Sequence, residues 1–296
     1  MRVREWVLAA RPWSFPMTAA SASLGAVLAA QEGFFDPILY LLTLGGLILF
    51  HASTNLLNDY YDIKHGVDKP ESPTALYRKH PILTGEFTLG SFKRAVTALY
   101  ILVLSVAGYL TLLRGWIIMA LTLAGLVLSI FYTSDPLKFK HYPLGEAAVF
   151  MVWGPLMVAG THYVLSGVLS FRAVLASLPL GVLVAAVLFA NNLRDMRYDG
   201  EVGLRTLAVL LGLEKGLKLY KGFIASAYIV SILLIVFRVL APWSLLILLT
   251  TPKAASIVKL FERKVPAAAD PITAQLTLIF GTLLILGEGM QILLPL

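Results

Sequence analysis

The chain has 296 residues, of which 58% are hydrophobic and 14% are charged, and its mean hydropathy is +0.80. Soluble domains carry about 25% charged residues, so this composition excludes a water-soluble globule. The net charge is +7, and the absence of cysteine excludes disulfides, thiolate catalysis, iron–sulfur clusters and cysteine zinc sites.

Nine runs without a charged residue follow one another along the chain. In chain order they cover residues 12–31, 37–58, 95–113, 115–134, 147–171, 173–193, 222–237, 239–252 and 271–287. About 20 apolar residues in a helix cross the ~30 Å hydrocarbon layer, and the last three runs need flanking charges that snorkel to its surface. The pattern predicts an all-α integral membrane protein with about nine transmembrane helices and, since no linker interrupts it, a single domain over residues 1–296.

The basic residues lie almost entirely on one side of this predicted topology. Of the 24 Lys and Arg residues, 21 fall on one face, and the other face holds Arg114, Arg172 and Arg238. The positive-inside rule then predicts a multi-pass protein of the cell (inner) membrane with a cytoplasmic N-terminus and an outer C-terminus. The basic charge is explained by topology, so we expect the lipid bilayer as a partner and no nucleic acid.

Two polar segments at the ends of runs two and six resemble one another. Residues 55–62 and residues 191–199 each contain Asn-x-x-x-Asp, at Asn58–Asp62 and Asn191–Asp195. Four crossings separate the two runs, and an even number of crossings returns the chain to the same face. Both segments are therefore expected to meet one water-filled space.

Helical spacing places the polar residues of each segment on one stripe. The first stripe is His51, Asn55, Asn58 and Asp62, and the second is Asn191, Asp195 and Asp199. Facing carboxylates at the edge of the hydrocarbon layer are costly without a compensating cation. Mg²⁺ prefers oxygen ligands and completes its shell with substrate phosphates, so the stripes predict a magnesium-bound diphosphate site.

Basic and aromatic residues accompany these stripes. Lys and Arg residues that can hold phosphate oxygens are Arg78, Lys79, Lys138, Lys140, Arg194 and Arg197. Tyrosines at the same helix ends are Tyr60, Tyr61, Tyr132 and Tyr198. Their aromatic faces would stabilise an allylic cation formed by loss of diphosphate.

These segments resemble the motifs of the UbiA superfamily of intramembrane prenyltransferases. Residues 58–68 are similar to the first aspartate-rich motif of its naphthoate-prenylating, menaquinone branch, and residues 191–199 with 203–208 resemble the second. Residues 11–16 resemble the opening Arg-Pro segment of the family. Residues 143–146 and 154–156 are similar to its fifth helix.

The resemblance implies nine helices around a central cavity, Mg²⁺ as cofactor, an isoprenyl diphosphate donor and a lipophilic or aromatic acceptor. It implies magnesium ligation by Asn58, Asp62, Asp68, Asp195 and Asp199. It implies diphosphate binding by Asn58, Asp59, Arg78, Lys79, Lys138, Lys140, Asn192 and Arg194. The catalytic residues would be Asp62, Asp195, Asp199 and Tyr132.

The implied reaction is magnesium-dependent prenyl transfer through an allylic carbocation to an aromatic acceptor, 1,4-dihydroxy-2-naphthoate, in quinone biosynthesis. Residues 132–136 read Tyr-Thr-Ser-Asp-Pro where that branch tends to have Gly-Gly-Pro. This departure leaves geranylgeranylglyceryl phosphate and hydroxybenzoate open as acceptors.

Two other classes of membrane protein also use intramembrane acids. Cation-coupled transporters place their ion site near the midplane in broken helices, whereas these acids lie at helix ends. The CDP-alcohol phosphotransferases begin their motif Asp-x-x-Asp-Gly, a spacing that Asp195, Asp199 and Gly200 do not reproduce.

Overall fold

The computed structural model describes residues 3–73, 75 and 80–295, and all regular structure within these residues is helical. Ten helices carry the fold. In chain order they are α1 (Val3–Ala9), α2 (Phe15–Gln31), α3 (Pro37–Lys64), α4 (Leu89–Arg114), α5 (Ile117–Thr133), α6 (Gly145–Ser166), α7 (Phe171–Glu201), α8 (Leu207–Val236), α9 (Pro242–Arg263) and α10 (Ala269–Leu293).

Seven of these helices, namely α3, α4 and α6 to α10, are long and apolar enough to cross a membrane. Each of the nine uncharged runs overlaps a helix, but α2 and α5 have 17 residues each. Such helices are about 26 Å long, which is short of the ~30 Å hydrocarbon layer. The all-helical membrane class is confirmed, and the predicted count of nine spans is not.

The polar segments extend the helices beyond the uncharged runs. Helix α3 continues to Lys64 and α7 continues to Glu201, so both Asn-x-x-x-Asp segments are helical. Helix α8 begins at Leu207, far before the short run at 222–237. These helices are therefore longer than the uncharged runs that predicted them. The extensions can carry lysine and arginine, because such side chains reach outward to the membrane surface.

Helix α7 is the most buried of the seven spans and packs against α6, α8 and α10. Small residues allow this close packing, as is usual for helices in membranes. A Cβ atom added to Gly181 would lie 3.0 Å from the Cα atom of Gly154 in α6. The backbones of α6 and α7 therefore touch at these two glycines.

Helix α6 is kinked where it crosses α7. Residues Val152–Leu156 form a π-helical turn that contains Pro155, and Gly154 has non-helical dihedrals (φ −87°, ψ −107°). Proline removes one hydrogen bond and clashes with the preceding turn, and a wider turn relieves that clash.

The C-terminal ends of α3 and α7 meet. Gly66 adopts a left-handed conformation (φ 70°), and the backbone N–H groups of Val67 and Asp68 then donate to the Asp62 carbonyl at 2.8 and 3.1 Å. The hydroxyl of Tyr198 donates to the Val67 carbonyl at 2.7 Å. The two polar segments share one space, as the crossing parity predicts.

At the opposite ends of the helices, two arginines bind main-chain carbonyls. Arg114 Nε donates to the Val164 carbonyl at 2.8 Å, and Arg172 Nε donates to the Val239 carbonyl at 2.9 Å. Arg172 also forms an ion pair at 3.2 Å with Glu288, whose side chain is fully buried. Two of the three basic residues on this sparsely charged face therefore have a structural role.

We predict that single cysteines at positions 69 and 200 react with a membrane-impermeant maleimide from the same side of the membrane. Lys69, after α3, and Gly200, near the end of α7, are both exposed, and Tyr198 joins the two segments. A cysteine at the exposed Val168, between α6 and α7, should react from the other side. Since the chain has no cysteine of its own, labelling of positions 69 and 200 from opposite sides would contradict this arrangement.

Candidate functional site

A cavity with a volume of about 310 Å³ lies between the bundle helices at the end where the two polar segments meet. Its polar end is lined by Arg11, Asn55, Asn58, Asp62, Lys140, Asn191, Asn192, Arg194 and Asp270. The remaining wall is mainly apolar and aromatic, and includes Trp13, Phe50, Tyr132 and Trp153. One cavity therefore presents charge at one end and apolar surface along the rest.

All four residues of the first stripe line this cavity. They are His51, Asn55, Asn58 and Asp62, so the predicted helical spacing is confirmed as one face of α3. In the second stripe, Asn191 lines the cavity, whereas Asp195 and Asp199 are buried and are not part of its wall.

Lys140 lies between the two polar segments. It occupies a short helical turn at Phe139–His141 before α6, and its ammonium group donates to Asn58 Oδ1 at 3.2 Å and to a carboxylate oxygen of Asp62. Burial would lower the pKa of Lys140, but the nearby carboxylates of Asp62, Asp68 and Asp199 raise it above its ordinary value. Lys140 is thus a fixed positive charge that faces acids from both segments.

Asp62 keeps one oxygen available in this arrangement. Its side chain is almost fully buried, and Oδ1 has no hydrogen-bond partner among the described residues. A buried carboxylate oxygen without a partner costs free energy. Such an oxygen is a suitable ligand for a hard cation such as Mg²⁺. Asn58 Oδ1 next to it belongs to the same class of oxygen donor.

Asp59 and Asp68 form a separate group beside the cavity. Asp59 is fully buried and bonds to Arg11, a residue that lines the cavity. Asp68 Oδ2 lies 3.4 Å from His80 Nε2, and oxygen atoms of the two aspartates and a nitrogen of His80 lie within 4.8 Å of one another. Burial raises the pKa of Asp68, but the hydrogen bond of His80 and the charge of Lys140 outweigh burial, so its pKa lies below the ordinary value.

Arg194 organises the second polar segment. Its guanidinium donates to both carboxylate oxygens of Asp195 at 2.7 Å and to Asn191 Oδ1 at 2.8 Å. It also donates to Oδ1 of Asp270 in α10. The predicted metal ligand Asp195 is therefore held by an arginine in a bidentate pair, a geometry typical of strong ion pairs. The sequence did not predict a role for Asp270, which lies at the polar end of the cavity.

The other predicted residues are divided between the cavity wall and the surface. Tyr132 and Asn192 line the cavity, and Asn192 Nδ2 donates to Glu146 Oε1 at 2.9 Å. Lys138 instead forms an ion pair at 2.7 Å with the exposed Asp135. Arg78 and Lys79 lie outside the described residues.

The sequence reasoning overlooked part of the apolar wall. Trp153 on the kinked turn of α6 packs edge-on against His51, with ring centroids 5.0 Å apart, and donates to Thr18 Oγ1 at 3.2 Å. Thr18 Oγ1 also bonds to His51 Nδ1 at 2.8 Å. His51 is thus a packing residue of the wall, and only a three-dimensional arrangement brings Trp153 beside it.

Comparison with known proteins gives one consistent family. Residues 18–285 match the model of the UbiA prenyltransferase family. A relative from Bacillus subtilis (strain 168), the 1,4-dihydroxy-2-naphthoate octaprenyltransferase, is 29% identical over 286 residues, which cover 94% of this chain and 89% of the relative.

Two solved structures have the same fold at low sequence identity. A UbiA homologue from Aeropyrum pernix K1 superposes with a TM-score of 0.72 at 18% identity, over 91% of this chain and 97% of the homologue. A UbiA homologue from Archaeoglobus fulgidus, described as bound to GPP and Mg²⁺, superposes with a TM-score of 0.66 at 15% identity, over 97% and 98% of the chains.

We predict that Lys140→Met lowers the midpoint of thermal unfolding in detergent, because it leaves the buried Asp62 carboxylate without its cation. Removing one partner of a buried ion pair costs roughly 3 kcal/mol. Adding Asp62→Asn should restore part of the loss, since it removes the carboxylate that Lys140 contacts directly. Additive effects of the two substitutions would contradict the pairing.

Proposed function

Because the chain belongs to the UbiA prenyltransferase family, we propose that it transfers a prenyl group from an allylic isoprenyl diphosphate to an aromatic acceptor. The observation that carries this proposal is that one cavity has cations and carboxylates at one end and an apolar, aromatic wall along the rest. A diphosphate with an isoprenoid tail has the same division of polarity. The cavity is therefore the active site in this proposal.

The residues at the polar end fit a magnesium ion. Asn58 Oδ1 and the buried Asp62 Oδ1 are oxygen donors on adjacent turns of one helix face. Asp199 is a buried carboxylate of the second polar segment, which meets the first. We propose that these three residues hold the ion. When bound, Mg²⁺ supplies positive charge that stabilises the leaving diphosphate. The GPP and Mg²⁺ described for the Archaeoglobus fulgidus homologue support this choice of donor class and metal.

Asp68 and Asp195 have a different place in this proposal. Both oxygens of Asp195 are bound by Arg194, and Asp68 lies beside His80 in the group that contains Asp59, outside the cavity wall. We propose that they orient these partners and the metal-binding residues rather than ligate the metal directly. The proposed set of metal ligands is therefore smaller than the set of five residues that the sequence resemblance implies.

The cationic side chains would bind the diphosphate oxygens. Lys140, Arg11 and Arg194 line the same end of the cavity, and hydrogen bonds between cations and phosphate oxygens are roughly twice as strong as neutral ones. Negative charge on the diphosphate grows as the bond between its oxygen and C1 of the prenyl group breaks. Lys140, held in position by Asn58, would stabilise that charge without reorganising.

The wall of the cavity would protect the allylic cation. Tyr132 and Trp153 both line the space next to the polar end. Aromatic faces stabilise a cation by roughly 2 kcal/mol or more where water is excluded. The acceptor carbon then attacks C1, and the proton displaced from the ring leaves for a base or water.

For the acceptor we favour 1,4-dihydroxy-2-naphthoate, with quinone biosynthesis as the context. The Bacillus subtilis relative bears that activity in its name. Asp135, which replaces a glycine of the naphthoate branch, is exposed and is not part of the cavity wall. The hydrogen bond of Lys138 lowers the pKa of Asp135 and so favours its charged form. Lys138 balances that charge in an ion pair at the surface, outside the cavity, so Asp135 would not repel an acidic acceptor there.

We further propose that the reaction takes place on the cytoplasmic side of the cell membrane. The asymmetry of basic residues supports this orientation, since 21 of them lie on the side of the two polar segments. The position of the acids at helix ends and the family membership favour an enzyme over a cation-coupled transporter.

The direct test is incubation of the purified protein with Mg²⁺, a radiolabelled prenyl diphosphate series and three acceptors. We expect prenylated 1,4-dihydroxy-2-naphthoate and loss of product with EDTA. Product from geranylgeranylglyceryl phosphate or hydroxybenzoate alone would contradict the naphthoate assignment but preserve the prenyltransferase. Cation uptake into liposomes without any prenyl transfer would favour the transporter.

We predict that Asp62→Asn reduces kcat/KM at least 100-fold and weakens magnesium-dependent binding of geranyl diphosphate in isothermal titration. The substitution keeps the shape of the side chain but removes the charge that faces the metal. Asp135→Asn is the matched control, because it changes an exposed aspartate outside the cavity, and it should retain activity within about twofold. Equal affinities of Asp62→Asn and wild type would refute the site.

A further inference from the structure

A second cavity, with a volume of about 110 Å³, lies among α3, α4, α5 and α6. Of the described residues that line it, none is charged, and three threonines are the only ones with a polar side chain. It shares Phe50, Gly125, Val152 and Met157 with the first cavity. The two cavities therefore adjoin, and the second one extends the apolar end of the first.

At the junction between the cavities, the side chain of Phe50 packs against Gly125, which has no side chain. A Cβ atom added to Gly125 would lie 3.0 Å from Cε1 and 3.4 Å from Cζ of Phe50. The phenyl ring therefore rests directly on Gly125. Phe50 and Gly125 line both cavities, so the ring is part of the wall that the cavities share.

Distances along α3 indicate which donors reach this junction. Along the axis of α3, Phe50 lies about 18 Å from Asp62, at a rise of about 1.5 Å per residue. Thr43, at the far end of the second cavity, lies about 10 Å beyond Phe50. With carbon–carbon bonds of about 1.5 Å, an extended geranyl group spans roughly 9 Å, and one of four isoprene units roughly 19 Å. Short donors end inside the first cavity, and donors of four or more units reach Phe50.

We infer that the second cavity receives the distal isoprene units of long-chain donors, and that Phe50 on Gly125 governs their entry. This inference rests on the proposed function and adds a chain-length determinant to it. We identify the occupant from the position of the second cavity, which adjoins the first. An isoprenoid chain whose diphosphate is bound near Asp62 would extend along the first cavity and reach the second through the residues that line both. The floor of that cavity, between Thr43 on α3 and Val164 on α6, would limit the longest chain accepted.

The first test fills the second cavity and leaves the polar end unchanged. Gly160 lines only the second cavity, where an added Cβ would make an ordinary 3.8 Å contact with Leu121. Gly160→Leu should reduce kcat/KM at least tenfold for donors of four or more isoprene units and less than twofold for geranyl diphosphate. The matched control is Gly108→Leu on α4, where an added Cβ meets nothing within 4 Å, and it should keep the wild-type profile.

The second test widens the junction and does not depend on the folding of the first variant. Phe50→Leu should raise the ratio of activity with four-unit donors to activity with geranyl diphosphate at least threefold. An unchanged ratio in Phe50→Leu, or an equal loss at all donor lengths in a folded Gly160→Leu, would overturn the inference and leave the proposed function intact. A wild-type protein that transfers no donor of any length would instead refute the proposed function.

Discussion

The pairing of buried and half-buried carboxylates with cationic side chains, most of them distant in the chain, is the constraint on which the rest of this structure depends. Arg11 pairs with Asp59, Lys140 with Asp62, and Arg194 with Asp195 and Asp270. Charges at the edge of a hydrocarbon layer cannot remain unpaired, because desolvation costs several kcal/mol for each ion. The pairs therefore tie the segment before α2, the turn before α6 and the start of α10 to the ends of α3 and α7.

In the proposed function, the same pairing would prepare the cavity for the anionic diphosphate. Lys140 and Arg194 reach the cavity wall although each is bound to a carboxylate, so the positive charge is positioned in advance. A site whose donors are already oriented does not reorganise when charge develops, and this is the main source of electrostatic catalysis. Stability and the proposed chemistry thus draw on one set of contacts.

Much of this arrangement could be predicted from the sequence. Helical spacing placed His51, Asn55, Asn58 and Asp62 on one face, and counting crossings placed both polar segments together, because each rule depends only on regular geometry. The roles of Arg11 and Trp153 could not be predicted this way. Arg11 reaches Asp59 across 48 residues, and Trp153 depends on the kink at Pro155. The predicted number of spans is not confirmed, since α2 and α5 have only 17 residues each.

The kink in α6 connects the polar end of the molecule to its apolar interior. Gly154 allows α6 to contact the backbone of α7 at Gly181, and Pro155 forces the wider turn at the same level. Val152, on this turn, lines both cavities, and Trp153 lines the first. A straight helix would present its side chains at different angles along this wall. The break in hydrogen bonding that weakens α6 therefore also shapes the passage along which an isoprenoid chain would extend from the diphosphate end.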